Sequence, residues 1–280
     1  MDFLSFAKTI YDDTASLKFI ESRCSKNVTC KFCNGKQIYI MKSRNQLRCK
    51  TCKKDFKPFT NSNFSALKMS YSKWLALIKL FELSVSAKTA SEQMHLSYKT
   101  TLKAFDTIRY SILEELAKTD SVLKGKIEAD EAYFGGKRKG NRGRGAKNKT
   151  IVFGILERQG KVHVEIVTNV KAKTLLAGTI KKVKKGSIVY TDKWRGYDSL
   201  VFNGYKHLSI DHSKMFGKGD VYINGIEGFW SFAKENMAKY HGVSPGKFLL
   251  YLKEMEWRYN NRNSDLFELL LKYMLGVEFT

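Results

Sequence analysis

Three acidic positions, far apart in a chain of 280 residues, could do chemistry together. Asp130 lies inside the strand-like run Lys126 to Phe134. A carboxylate in a segment otherwise bound for a core is costly unless it is paired or metal-bound. Strand alternation puts Glu128 on the same face and Glu131 on the other, so the run offers three candidates. Asp192 ends the apolar run Ile188 to Thr191, and strand C-termini are where open α/β sheets place ligands. The plain alternative for Asp192 is a cap on the turn through Trp194 and Gly196. Further on, Asn224, Glu227 and Lys234 share one face of a predicted helix, with Trp230 and Ser231 between them and Ile226, Phe229 and Ala233 as the buried stripe. On spacing alone, Glu227 and Lys234 are equally well a loose surface pair. Should the acids converge, they suit phosphodiester cleavage. Two divalent ions about 4 Å apart activate a nucleophile and stabilise the departing 3′ oxygen, and a few carboxylates hold them. Mg2+ or Mn2+ in that role asks for oxygen ligands, not His or Cys.

A second constellation is made of sulfur. Cys30, Cys33, Cys49 and Cys52 form two Cys-x-x-Cys knuckles with fifteen residues between them. The two-residue gap lets both sulfurs of a knuckle face one metal, so four thiolates can hold one structural Zn2+ with no position left for substrate. The stretch between them suits a hairpin, which makes a zinc ribbon with Lys31, Lys36, Arg48, Lys50, Lys53 and Lys54 around it. A redox pair or unrelated buried thiols are the alternatives. Cys24 falls outside the spacing and reads as an inert thiol.

The elements that must position these groups follow from periodicity. From Asn63 to Leu113 the pattern is helical, with Trp74, Leu77, Ile78 and Phe81 as one stripe. Ser86 to Leu102 reads as a short helix, a tight turn near Leu96 and Ser97, and a second helix, the outline of a helix-turn-helix that any short helical hairpin would share. After Lys124 the texture changes to strands over Lys126–Phe134, Thr150–Leu156 and Val162–Val167, then a helix over Leu175–Val183 and a strand over Ser187–Thr191. Three strands, a helix and a fourth strand is the order of an RNase H-like core, although other α/β folds also produce it. The expected division is 1–58 for the ribbon region, 59–122 for the helical DNA-binding region and 123–280 for the catalytic core.

Charge points to the partner. Fifty Lys and Arg against 27 Asp and Glu leave a formal net charge of +23, and such a surplus suits a polyanion, nucleic acid first. Gly135 to Lys149 carries seven basic residues, five glycines and no acid. It reads as a loop whose Lys137, Arg138, Lys139, Arg142, Arg144 and Lys147 track phosphate, or else as a solvated turn. Glu254, Arg258 and Arg262 recur every four residues and make one charged helix face, for DNA or as a salt-bridge ladder. The start, Met-Asp-Phe-Leu, has an acid where a signal peptide wants basic charge, and the run Leu269-Leu270-Leu271 is far below spanning length. The expectation is no membrane role and a reducing cytoplasm.

In combination and in this order, Asp130-Glu131 with Gly135-Gly136, Thr191-Asp192, Asn224-x-x-Glu227-x-Phe229-Trp230-Ser231 and Lys234, preceded by four cysteines, resemble bacterial insertion-sequence transposases of the Merlin-related, ISXO-like group, over about Cys30 to Arg262. The resemblance implies an RNase H-like catalytic core behind a zinc ribbon, with Asp130 and Asp192 as metal-binding aspartates. Members have Asn or Glu at the third position. Glu227 is favoured over Asn224, because a carboxylate neutralises metal charge and the 35-residue gap from 192 to 227 resembles the usual Asp–Asp–Glu spacing. Lys234 would then face phosphate as a point charge. The implied protein binds terminal inverted repeats of double-stranded DNA, cleaves them with metal-activated water and joins the 3′-OH ends to target DNA. It would work as a homodimer or larger synaptic assembly on the bacterial nucleoid. Two other readings stay open: a zinc-ribbon and helix-turn-helix regulator without catalysis, and an RNase H-like nuclease that cuts without joining.

Overall fold

The computed structural model describes residues 3–23, 29–41, 46–56, 59–60, 62–119, 122–135, 149–192, 201, 203–210, 222–240 and 242–276. They fall into two compact units, one of residues 1–115 with 263–280 and the other of residues 116–262.

The first unit begins with helices α1 (Phe3–Thr9) and α2 (Asp13–Glu21), the second capped by the Asp12 side chain on the Ala15 N–H. A small antiparallel sheet follows, β1 (Ile38–Met41), β2 (Gln46–Cys49) and β3 (Asp55–Phe56), paired in that order. Its core is Cys30, Leu47, Cys49 and Phe56. This is the expected ribbon. Helix α3 (Tyr71–Glu82) buries the predicted stripe of Trp74, Leu77, Ile78 and Phe81, and the Trp74 indole N–H donates to the Phe64 carbonyl at 3.0 Å. Helices α4 (Ala87–Gln93) and α5 (Tyr98–Lys118) are joined by the short turn expected there. His95 turns the chain with a φ of 49°, and Ser86 and Ser97 accept from the N–H groups of Thr89 and Thr100 at the two helix starts. Phe81 of α3 meets Phe105 of α5 edge-on at 5.3 Å.

The last helix groups with the first unit. The apolar residues of α9 (Leu266–Leu275) find their cover in the first unit, on α3 and the N-terminal helices. Phe267 meets Phe6 at 5.3 Å, and Arg23 pairs with Glu268 at 2.8 Å. Leu270 and Leu271, the run too short to span a bilayer, are fully buried there. Among the described residues no helix is long and apolar enough to cross a membrane.

The second unit is built on a five-stranded sheet: β4 (Lys126–Phe134), β5 (Thr150–Glu157), β6 (Val162–Val167), β7 (Ile188–Asp192) and β8 (Lys206–Ile210). Its order is β6-β5-β4-β7-β8, with the β6–β5 and β5–β4 pairs antiparallel and the β4–β7 and β7–β8 pairs parallel. Helix α6 (Ala172–Lys182) makes the crossover from β6 to β7. That is the RNase H-like arrangement. The fifth strand was not expected. Its residues are mostly exposed, so it lacks the apolar run by which the other four are read. Two helices follow, α7 (Asn224–Ala238) and α8 (Phe248–Asn260).

The sheet packs on both faces, which is why its central strands are so apolar. Ala132, Val152, Leu156 and Tyr190 meet Ile226, Phe229, Trp230 and Ala233 of α7 and Leu252 and Met255 of α8 on one side. On the other, Ile127, Ala129, Phe153, Ile155 and Val189 meet Leu175 of α6. Helix α8 also closes the outer edge of β6. Asn260 exchanges hydrogen bonds with the backbone of Val162 at 2.7 and 2.9 Å. Glu256 accepts from the Val164 N–H at 3.0 Å, while Lys253 donates to the Val164 carbonyl at 2.7 Å. Side chains thus satisfy edge groups that would otherwise invite another strand.

Candidate active site

The strand register explains why two distant aspartates meet. β4 and β7 run parallel with Glu128 level with Tyr190, and two residues further along each strand stand Asp130 and Asp192. Side chains two residues apart point the same way, so Glu128, Asp130, Tyr190 and Asp192 all face α7. Opposite Asp130 on β5 is Gly154. A Cβ there would lie 2.5 Å from Cζ2 of Trp230, so glycine is what lets the α7 indole lie across the sheet. From that position the indole N–H donates to Oδ2 of Asp130 at 3.1 Å.

The electrostatics link three acids from three elements. Burial pushes the Asp130 carboxyl up to about 6, and the negative charges of Asp192 and Glu227 push the same way, against hydrogen bonds from the Glu131 backbone and Trp230. A cation would relieve this repulsion, and the donors are all carboxylate oxygens, so the set suits a hard divalent ion. Asn224 opens α7, Glu227 lies in its first turn, and both are exposed, as is Lys234. The Lys234 ammonium stands 6.0 Å from the Phe134 ring, near the end of β4.

The cysteines gather more tightly. All four sulfurs lie within 4.8 Å of one another, with Cys30 to Cys52 at 3.5 Å and Cys33 to Cys49 at 3.6 Å. Four ligands at about 2.3 Å around one tetrahedral ion would stand roughly 3.8 Å apart, so the cluster fits a metal and is too open for disulfides. Backbone N–H groups of Cys52 and Thr51 outweigh burial and bring the Cys49 thiol down to about 6, toward the thiolate a metal needs. Among the described residues this is the one set of three or more candidate ligand atoms drawn so close. The acids interact across a wider gap.

Two sequence-based expectations change. Arg258 is 6% exposed and pairs with Glu254, itself fully buried, at 2.8 Å. Of the two readings of that face, DNA contact or a salt-bridge ladder, the Glu254–Arg258 pair is a salt bridge, but a buried one rather than a solvated one. Arg262 lies past the end of α8 and is exposed, donating to the Tyr259 carbonyl at 2.7 Å. Glu128, a third candidate acid on β4, is 1% exposed and committed to Arg158 and the N-terminus of α7. Glu131 is half-buried, on the face away from α7. Trp230 and Arg158 were not singled out as site residues. Trp230 was visible one turn after Glu227, yet nothing local names its partner 100 residues away. Lys137, Arg138, Lys139, Arg142, Arg144 and Lys147 lie outside the described residues, as do Cys24, Trp194 and Gly196.

Comparison with known proteins adds an independent line. The ISXO2-like transposase domain family matches residues 122–260. The chain is 48% identical over 101 residues to an uncharacterized transposase-like protein of Haemophilus influenzae, covering 36% of this chain and 82% of that protein. It is 26% identical over 261 residues to an uncharacterized protein in transposable element ISH50 of Halobacterium salinarum, covering 84% and 86%. Among solved structures, the catalytic core domain of BIV integrase superposes with a TM-score of 0.35 at 12% identity, covering 53% of this chain and 95% of that one. With the strand order and the relatives pointing the same way, the chain belongs to the ISXO2-like family of insertion-sequence transposases.

Proposed function

We propose that this chain cuts DNA at the ends of its element and joins the freed ends to target DNA, with Asp130, Asp192 and Glu227 as the acids that hold divalent cations. The observation that carries the reading is geometric: Asp130 and Asp192 stand level on one face of the parallel strands β4 and β7, with α7, which carries Glu227, held against Asp130 through Trp230. Glu227 is the third acid in this reading rather than Asn224, because a carboxylate neutralises metal charge and an amide does not. Mg2+ or Mn2+ bound there, two per site, would supply activation of the nucleophile and stabilisation of the leaving oxygen.

The chain's own residues prepare the reaction. Trp230 occupies one lone pair of Asp130 and leaves the remainder for ligation. Lys234 offers a positive point charge to phosphate beside the acids. Water attacks in line at the phosphodiester of an element end, releasing a 3′-OH. That hydroxyl then attacks a target phosphodiester and displaces its 3′ oxygen, so one phosphodiester replaces another and no external energy source is required. The ribbon, with one Zn2+ on Cys30, Cys33, Cys49 and Cys52, and the α4–α5 pair recognise the terminal inverted repeats. Two ends require at least a homodimer in a synaptic assembly, acting on the nucleoid in the bacterial cytoplasm.

The test is Asp130→Asn and Asp192→Asn in the full chain, on a plasmid carrying the gene with its flanking DNA. Each variant should lose Mg2+-dependent cleavage and keep DNA binding. Cleavage at the wild-type rate by either would remove the assignment. A strand-transfer assay with precleaved ends separates joining from cutting alone.

A further inference from the structure

Glu128 sits two residues before Asp130 on the same face of β4 and is 1% exposed. A charge so buried must be answered, and it is answered from two directions. Arg158 of the segment after β5 donates through Nε to Oε1 at 2.8 Å, and the backbone N–H of Ile226 donates to Oε2 at 2.9 Å. Ile226 is the third residue of α7. Its N–H is one of those a helix leaves without an internal acceptor, and the preceding residue, Ile223, provides no capping side chain. The cap that Ser or Asp would ordinarily supply locally comes here from the sheet. Its negative charge also suits the positive end of the helix.

Arg158 extends the hold. Its guanidinium lies 3.9 Å from the Tyr190 ring centroid and 3.8 Å from that of Tyr222, and Nη2 donates to the Tyr222 carbonyl at 2.5 Å. One ion pair therefore grips both the residue leading into α7 and the helix's first turn. Gly225 makes the approach possible: a Cβ there would lie 2.8 Å from Oε2 of Glu128 and 3.1 Å from Cδ2 of Leu156. The residue next after Ile226 is Glu227.

We infer that Glu128 and Arg158 are a positioning pair for the third carboxylate, with β4 carrying both an active acid and the acid that sets where its distant partner emerges. The inference rests on the reading of Asp130, Asp192 and Glu227 as the cation-holding set. Both carboxylate oxygens of Glu128 are taken up by protein donors. Glu128 acts by fixing the start of α7 at the distance from Asp130 at which Glu227 can share a ligand sphere.

The test compares Glu128→Gln, Gly225→Ala and Asp130→Asn in the full chain. It measures Mn2+ affinity by calorimetry, the thermal midpoint, DNA binding and cleavage of the plasmid substrate. Glu128→Gln and Gly225→Ala should bind DNA as the wild type does, weaken Mn2+ binding about tenfold and slow cleavage at least tenfold. Gly225→Ala is decisive, because it removes no charged group and only forces the start of α7 and Glu128 apart, while alanine favours helix over glycine, so a merely structural role for this contact predicts no loss of metal affinity. If Glu128→Gln does not fold, Gly225→Ala carries the test alone. Wild-type Mn2+ affinity and cleavage in Gly225→Ala, with cleavage abolished in Asp130→Asn, overturns the positioning role and leaves the active site standing. Cleavage retained in Asp130→Asn overturns both.

Discussion

The indole N–H of Trp230 donates to Oδ2 of Asp130 at 3.1 Å, across a sheet position that only Gly154 leaves open. Helix α7 thus touches the sheet at two successive same-face rungs of β4, through Glu128 to its backbone and through Asp130 to its side chain.

Replacing Trp230 by Phe should retain most of the packing and lose the donor. A hydrogen bond to a charged group contributes about 1.5–3 kcal/mol, so cleavage should slow by roughly ten- to a hundredfold. Gly154→Ala should slow it comparably by pushing the indole away. The double variant, measured in the same assay, should be no worse than the poorer single one, since both act through one contact.

The acid cluster should register in stability against pH. Burial, with Asp192 and Glu227, raises Asp130 to about 6, so between about pH 4 and 6 the native state without metal holds a proton that the unfolded chain has released. Stability from this group therefore falls as pH rises through that window, by on the order of 3 kcal/mol. In urea unfolding with chelator, Asp130→Asn should gain on the wild type from pH 4 to 6 and stay ahead above it. Added Mg2+ at pH 7 should stabilise the wild type and not the variant.

Arg258 and Arg262 should separate cleanly. Removing Arg258 strands the buried Glu254 charge, and breaking such a pair costs about 3–5 kcal/mol. Arg258→Ala should therefore lower the thermal midpoint sharply, and DNA binding should change only as far as folding does. Arg262→Ala should leave the melt near that of the wild type, and a weaker, less salt-dependent DNA affinity would mark it as a phosphate contact.

Metal removal should act on the ribbon and spare the sheet. Its core is four residues, two of them cysteines, too little to fold without a crosslink. Cys49→Ser should release about one Zn2+ per chain and expose β1–β3 to protease. The unit of residues 116–262 should retain its melt, followed by the fluorescence of Trp230 and Trp257, both buried there.

Local pattern carried much of this protein. The two Cys-x-x-Cys turns, the stripe Ile226, Phe229 and Ala233, and the apolar runs of β4 to β7 are all written at short range, because helix and strand periods repeat within a few residues. Asp130 stood out for the same reason, as an acid in a run that otherwise belongs in a core. What a residue does once it is there depended on what came to cover it. Glu128 and Asp130 share a face two residues apart, yet one is closed over by Arg158 and the start of α7 while the other is left facing two more acids. Arg258 and Arg262 stand four residues apart, yet one lies inside α8 and is buried while the other lies past its end and is exposed. Helix α9 follows the second unit in the chain and finds its apolar partners in the first. For Glu128, Asp130 and α9 the deciding neighbour lies tens to hundreds of residues away, where no local period reaches.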